Sequence, residues 1–421
     1  MLEGRTKSER NGASSSVASA APSVVLPAPG TPVTTTTVGG PTSAAVPSTL
    51  VIIAWRPTAD SNGRAVGPGR AYGGSMFTRP EGVRDADIVA AVRRDWGLEP
   101  DSADYLAAGF GSHHWVAASA GGDRWFVTVD DLSTKELVCD EPLSSFDAVD
   151  RAFTVAQALR DLDLQWVVAP LSTPDGRVLS RLDERYSVAV FPHVDGTSHH
   201  SFESDAERAR VVTLLVELHE RSGPVRPDAR RETFSLPHRD GLLDALACVD
   251  DMWTGGLYSE PARALLRRDV VGVRRLLAEY DELARDALRK PDGWTVTHGE
   301  PHSRNVLRTE DGLRVIDWDT VMTAPPERDL WMLIPERGDG VLERLYLAAT
   351  GHRVNRDLLT LYSLAWDLSE IGGYLAEFRA PHEDTEDSRV AWGGLNESIR
   401  ASADRQGHLT EQGFEESSAV T

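Results

Sequence analysis

Between Val296 and Leu330 the chain reads VTHGEPHSRNVLRTEDGLRVIDWDTVMTAPPERDL, and this stretch holds the side chains best suited to chemistry. His298, Glu300 and His302 stand close together, and Asn305 follows. The apolar pair Val306-Leu307 leads to Asp311-Gly312, a dipeptide that favours a two-residue hairpin turn. A second strand, Leu313 to Ile316, then delivers Asp317 at its end, with Asp319 just beyond. One hairpin therefore gathers an acid, an amide and two further acids around a single spot. Glu300 suits acceptance of a hydroxyl proton. The amide oxygen of Asn305 and the carboxylate of Asp317 are hard ligands of the kind magnesium takes while it keeps several waters and bridges phosphates. Base, amide and metal-binding acid are the minimal apparatus of phosphoryl transfer, in which positioning and charge neutralisation carry most of the catalysis. Any one of these residues alone would read as part of a polar surface hairpin; the ordered set favours chemistry.

The pattern HGE-x-H-x-x-N followed by IDWD resembles the catalytic loop and metal-binding strand of the aminoglycoside phosphotransferase family, within the protein-kinase-like small-molecule kinases. The usual motif there begins HGD, so Glu300 stands where an aspartate is expected, with the same acid chemistry on one more methylene. The resemblance covers about residues 76 to 380. It implies an α+β, two-lobed protein-kinase-like fold with a small mixed β-sheet lobe and a large, mainly helical lobe. The implied organisation is an N-terminal extension at 1–75, a small nucleotide-binding lobe at 76–193, a large catalytic and acceptor-binding lobe at 194–385 and a polar tail at 386–421. It further implies ATP and Mg2+ as cofactors, Glu300 and His298 as the catalytic pair, and Asn305 and Asp317 as metal ligands. Asp319 is a second acid beside the metal or toward the acceptor, and Asp329 is a brace for the loop backbone. His298 and His302, four apart, raise zinc as an alternative, but Pro301 and the loop context argue against a helical HxxxH site.

The elements that must position this loop read as follows. Asp85 to Trp96 is an amphipathic helix, with Ile88, Val92 and Trp96 at four-residue spacing and Gly97 as its stop. Tyr105 to Asp130 then alternates strand, glycine turn, strand, turn, strand. By resemblance this is the nucleotide-binding hairpin, with Gly109, Gly111 and Ser112 near the phosphates, where glycine lets backbone N–H groups approach closely. His113 and His114 are expected to be exposed. The third strand offers Thr128 where kinases place a lysine. The chain has three lysines, Lys7, Lys135 and Lys290. Either Arg124 or Lys135 substitutes, or metal and backbone hold the phosphates. The helix from Phe146 to Asp161 contains no glutamate to pair such a lysine. Trp166 to Pro170 and Tyr186 to Phe191 are expected as strands closing the sheet. By resemblance Phe191 to Val194, including His193, is the hinge that reads the adenine, with Val168 and Val190 lining the ring.

From Ser204 the pattern is helical: Ser204 to Ser222, Leu242 to Trp253, Tyr258 to Leu266, Asp269 to Leu288 and Leu358 to Phe378. Asp367 and Glu370 on the last of these suit recognition of amino groups on an acceptor, and equally a solvated face. After Pro381 the chain is acidic and is expected to fray.

Composition bounds the rest. Of 421 residues, 44 are basic and 65 acidic, for a net charge of -21. The first 75 residues hold six basic and three acidic residues, so the remainder carries 38 and 62, a net of -24. Such a surface repels nucleic acid and anionic membrane and attracts cations. Two cysteines, Cys139 and Cys248, make neither a disulfide framework nor a zinc site, and buried thiols in a reduced cytoplasm are the simple expectation. Residues 1 to about 49, rich in Ala, Ser, Thr, Pro and Gly, are expected to be disordered. The expected activity is transfer of the ATP γ-phosphate to a hydroxyl of a small molecule; a cationic acceptor fits the charge, as does an acidic surface that serves only halophilic or ordinary solubility. The alternatives are a kinase of another alcohol or antibiotic, and a nucleotide-binding pseudokinase with a partner-binding role.

Overall fold

The computed structural model describes residues 77–109, 111–135, 143–335 and 340–418, with side chains described as far as residue 403. The N-terminal extension and Cys139 lie outside the described residues. Cys248 is half-buried rather than buried.

Helix α1 (Asp85–Ala91) begins where the Asp87 carboxylate accepts from the Arg84 N–H at 2.9 Å. It continues through a wider π turn (Val92–Trp96) and stops at Gly97, whose φ of 65° suits glycine. Strands β1 (Ser102–Leu106), β2 (His113–Ala118), β3 (Arg124–Asp131), β4 (Ser180–Arg181) and β5 (Tyr186–Pro192) form one antiparallel sheet in the order β1-β2-β3-β5-β4. Alternation along β3 divides two cores. Val127 and Val129 pack with Trp115, Val188 and Val190 against Ile88, Val92 and Trp96 of the first helix. On the other face Phe126, Ala189 and Phe191 meet Val149 and Phe153 of α2 (Ser145–Asp161), together with Val168. Val190 therefore belongs to the core under α1, away from the face that holds Val168, and does not share a ring site with it. The segment from Trp166 to Pro170 is not a strand of this sheet. Val167 makes one bridge to Val315 instead, which ties the connection after α2 to the catalytic hairpin.

The larger part is mainly helical. It comprises α3 (Asp205–Arg221), β6 (Arg230–Arg231), α4 (Arg239–Ala247), α5 (Ser259–Arg268), α6 (Val270–Leu288), β7 (Thr295–Thr297), β8 (Val306–Thr309), β9 (Gly312–Val315) and β10 (Met322–Ala324). Helices α7 (Glu327–Leu330), α8 (Val341–Thr350), α9 (Arg356–Arg379) and α10 (Glu386–Ser418) follow. Ser204 caps α3 by accepting from the Glu207 N–H. The expected helix from Leu242 to Trp253 is instead α4, earlier and shorter. Strands β6, β10 and β7 make a small sheet, and β8 and β9 pair as the expected hairpin, with Thr309 opposite Gly312. The segment read as a fraying polar tail is α10. Its Ala391, Leu395 and Ile399 are buried in one core with Leu368, Ile371 and Leu375 of α9. Burying that apolar stripe offsets the polar character of the rest.

Candidate active site

Strand β7 runs out at Thr297, and the following loop is fixed from beneath by Asp329 of α7. The fully buried Asp329 carboxylate accepts from the backbone N–H of His298 at 3.0 Å and of Gly299 at 2.6 Å. A further oxygen contact comes from His219 Nε2 at 2.9 Å, and the Nδ1 of His219 lies 2.7 Å from the Tyr346 hydroxyl. Burial pushes Asp329 upward, but the hydrogen bond and charge of His219 outweigh it and hold this acid below its ordinary range. Arg328 donates to Thr297 Oγ1 and to the Thr320 carbonyl. Its guanidinium lies against Gly299, which has φ of 103°, so any side chain there would collide as well as strain the backbone.

His298, expected as part of the catalytic pair, spends its ring on the backbone. Nε2 lies 2.9 Å from the Ile316 carbonyl, to which it donates, and Nδ1 accepts from the Glu300 N–H at 3.1 Å. Burial depresses its pKa, in keeping with a neutral ring. The side chain is a positioning residue, and it has no nitrogen left for the zinc alternative.

Glu300 is 4% exposed, and its Oε1 has no hydrogen-bond partner. Burial, followed by repulsion from Asp319, pushes its carboxyl up to about 8. Asn305 Nδ2 donates to the Glu300 carbonyl at 3.0 Å, which commits the nitrogen and leaves the amide oxygen as the donor for a cation. Asp317 adopts φ of 68°, a left-handed conformation that aspartate tolerates better than most residues. Its side chain is exposed in the cleft. The protein around it, then the charges of Asp319 and Glu300, raise its carboxyl well above the ordinary range. Burial pushes Asp319 upward as well, but Lys135, and a hydrogen bond from Asp317, bring it below that range.

Three carboxyl groups and an amide thus crowd one space, with one carboxylate oxygen unpartnered. That donor set fits a hard cation. Among the described residues no group of three or more His, Cys, Asp and Glu is arranged to hold a metal by itself. Asn305 and Asp317 are the residues that could hold such an ion with few protein ligands, the coordination magnesium takes when phosphates and water complete its shell.

Across the cleft stands the glycine turn. Gly109 and Gly111 have φ of 85° and 77°. Gly109 closes on His114, where a Cβ would come within 2.8 Å of Nε2. His113 and His114 are not exposed: His113 is buried with Nδ1 3.1 Å from the Tyr105 hydroxyl, and His114 is half-buried, its ring 4.9 Å from Phe126. Thr128, opposite His114 in the register, is buried. Neither Thr128 Oγ1 nor His114 Nδ1 has a partner. Ser112 Oγ donates to Asp130 at 2.6 Å. Arg124 instead pairs with exposed Asp195 at 2.8 Å. At the expected hinge, Phe191 sits edge-on to Phe153 at 5.4 Å, and half-buried His193 has Nδ1 3.7 Å from Asp195.

On α9, Asp367 and Glu370 are half-buried, and Glu370 accepts from the Tyr374 hydroxyl at 2.9 Å. Trp366 stands edge-on to His302, with ring centres 6.5 Å apart, and Glu370 adds to the upward push on Glu300. This helix therefore faces the loop. The sequence reading missed His219, Tyr346 and Arg328. No local pattern marks them, because each acts on a partner distant in sequence or on a neighbour of the loop: His219 on the Asp329 carboxylate, Tyr346 on His219, and Arg328 on Thr297 and Thr320.

A small antiparallel sheet over a helical lobe, with an acid loop and hairpin between them, defines a two-lobed protein-kinase-like phosphotransferase. Residues 115–364 match the phosphotransferase enzyme family abbreviated APH, and the chain belongs to that family. It is 32% identical over 252 residues to protein StrN of Streptomyces griseus, covering 57% of this chain and 74% of that protein. The structure is similar to that of a spectinomycin phosphotransferase with bound ADP and spectinomycin. That likeness has a TM-score of 0.61 at 15% identity and covers 76% of this chain and 98% of the other. The AMP complex of the spectinomycin enzyme gives 0.56 at 17% identity, with the same coverage. Among the described residues no helix is long and apolar enough to cross a membrane.

Proposed function

We propose that the chain transfers the γ-phosphate of ATP, with magnesium, to a hydroxyl of a small and preferably cationic acceptor. The observation that carries this reading is Glu300, buried on a braced loop with one carboxylate oxygen unpartnered, beside Asn305 and Asp317. In its ionised form Glu300 takes the acceptor's hydroxyl proton as the oxygen attacks the γ-phosphorus. Bound magnesium would be held by Asn305 and Asp317 and would supply charge neutralisation on the phosphate oxygens. His298, Asp329 and Arg328 keep the loop backbone in place so that the Glu300 carboxylate meets the incoming hydroxyl without reorganisation.

Gly109, Gly111 and Ser112 would lie along the phosphates, Thr128 under them, and Phe191 and His193 at the adenine end. The boundary between nucleotide and acceptor lobes is placed at 193/194. Asp319 stands beside the metal pair, and Asp367 and Glu370 would face amino groups on the acceptor. The ADP and spectinomycin held by a similar structure support a nucleotide site and a small hydroxylated acceptor. The net charge of -21 fits a cationic one and disfavours nucleic acid and anionic membrane as partners, and two cysteines without a disulfide framework fit a cytoplasmic setting. A coupled nucleotidase assay over aminoglycosides, other antibiotics and simple amino alcohols tests the reading. Acceptor-dependent ADP release that vanishes in Asp317→Ala is expected. Turnover indifferent to every acceptor and to Glu300→Ala would sink it and favour a pseudokinase.

A further inference from the structure

Thr128 leaves the middle of β3 without a cation, so some other group must face the nucleotide phosphates if the reading above holds. Lys290 is exposed beyond the end of α6, and Lys7 lies outside the described residues. Arg124 stands at the outer end of β3 with its guanidinium on exposed Asp195. Lys135 differs from all of these. Its side chain is 5% exposed although it follows the end of the strand. Burying an ammonium group costs several kcal/mol unless each proton finds an acceptor. Here Nζ meets three: Asp130 Oδ1 at 2.7 Å, Asp319 Oδ2 at 2.6 Å and Ser112 Oγ at 3.2 Å. The acceptors come from three elements: the cleft face of β3, the catalytic hairpin and the glycine turn.

We propose that Lys135, delivered from beyond the end of β3 instead of from its middle, brings positive charge to the nucleotide phosphates, with Asp130 as its fixed partner. This assignment rests on the nucleotide-binding reading above. Three observations point the same way. Asp130 lies two residues beyond Thr128 on the same face of β3 and is 1% exposed, so it holds the ammonium at the cleft wall. The Asp319 carboxylate, on the hairpin that also presents Asp317, marks where an anionic oxygen sits against Nζ. Ser112 ties the same ammonium and the same Asp130 to the glycine turn. Cation and counter-ion therefore both come from the third strand and its extension. Helix α2 has no glutamate to pair the ammonium; its contact with Lys135 is to the backbone, where Ser145 Oγ donates to the Lys135 carbonyl at 3.1 Å. The sequence loses the strand lysine and the helix glutamate together because one local pair replaces both.

The test measures binding of MgATP, ADP and adenosine to the full chain by calorimetry. Lys135→Met keeps the length of the stem and removes the charge. MgATP and ADP affinity should fall roughly 10- to 100-fold, the loss expected for a charge-assisted hydrogen bond, with adenosine binding unchanged. Adding Thr128→Lys to that variant should recover most of the MgATP affinity by returning a cation to the strand. If Lys135→Met does not fold because Asp130 is left buried and unpaired, Asp130→Asn with Lys135→Met removes both charges and is read in the same way. Unchanged MgATP affinity, or an equal loss for adenosine, overturns the proposal. Wild-type protein that binds none of the three ligands overturns the nucleotide reading itself.

Discussion

The two walls of the cleft are built on opposite principles. On the hairpin side nearly every polar group of the loop is spent: Asp329 on two backbone N–H groups, His298 on a carbonyl and an N–H, Asn305 on the Glu300 carbonyl. The Glu300 Oε1 atom stands out as unpartnered. On the glycine-turn side the buried atoms His114 Nδ1, Thr128 Oγ1 and Asp130 Oδ2 have no partner. A buried polar group without a hydrogen bond is costly, so atoms left in that condition are poised for a ligand or water. One wall is pre-organised by its own bonds, and the other is completed by what enters.

This contrast can be broken most forcefully at Glu300. Glu300→Gln keeps the shape of the loop and removes the base. Under the proposed function kcat should fall about 10²- to 10⁴-fold with MgATP affinity retained. A kcat within a few-fold of wild type, in steady-state assays with the best acceptor, would show that the unpartnered acid does no chemistry. Next comes Asp329→Ala. It orphans two buried N–H groups and also strips His219 of its carboxylate, and should cost roughly 3–6 kcal/mol in denaturant unfolding, from about 1.5–3 kcal/mol for each of the two N–H hydrogen bonds to the charged group. A loss below about 1 kcal/mol would mean that the loop keeps its shape without the brace.

The same contrast explains what could be read from the sequence. The hairpin side was legible because its chemistry is contiguous: Glu300, Asn305 and Asp317 lie on one loop and two short strands, and Asp311-Gly312 announces the turn. Its supports were not legible. His219 reaches Asp329 from 110 residues before it, and Tyr346 meets His219 from 127 residues past it. On the sheet side, Lys135 stood out by scarcity among three lysines, yet nothing local shows a side chain beyond the strand folding back to Asp130. The run from Trp166 to Pro170 looked like a strand because it is apolar. It is buried against the hairpin instead, where Val168 donates to the Val315 carbonyl at 3.0 Å. The last helix was hidden by its polar composition, although Ala391, Leu395 and Ile399 recur every four residues, a signal that a search for a narrow stripe would have caught.

A smaller effect separates the two walls by pH. With its carboxyl near 8 in the folded chain and an ordinary value of 4.5, Glu300 binds a proton in the native state that the unfolded chain has released. Stability from this group is therefore greatest at acid pH and falls as pH rises from about 4.5 to 8. Glu300→Gln, without nucleotide or metal, should melt higher than wild type at pH 8, the gap closing toward pH 5. A gap that is constant with pH, in parallel melts, would mean that the carboxyl titrates normally.

The smallest expected effect lies at Arg124, and it sharpens the division inside the sheet itself. Arg124 and Lys135 are the two cations that the third strand and its extension bring toward the nucleotide side, but their settings differ. The Arg124–Asp195 pair is open to solvent on both partners, with side chains 40% and 73% exposed, whereas the Lys135–Asp130 pair is 5% and 1% exposed. In water an ion pair gains little Coulomb energy and loses side-chain freedom, so Arg124→Ala should change unfolding free energy by less than about 1 kcal/mol. Its guanidinium points along the outer end of the sheet to Asp195, so MgATP affinity should stay within about threefold of wild type, a difference below 1 kcal/mol. A tenfold loss of MgATP binding in Arg124→Ala with adenosine unaffected would move the phosphate cation to the exposed end of β3. It would also leave the buried Lys135–Asp130–Asp319 cluster as a structural tie between the walls.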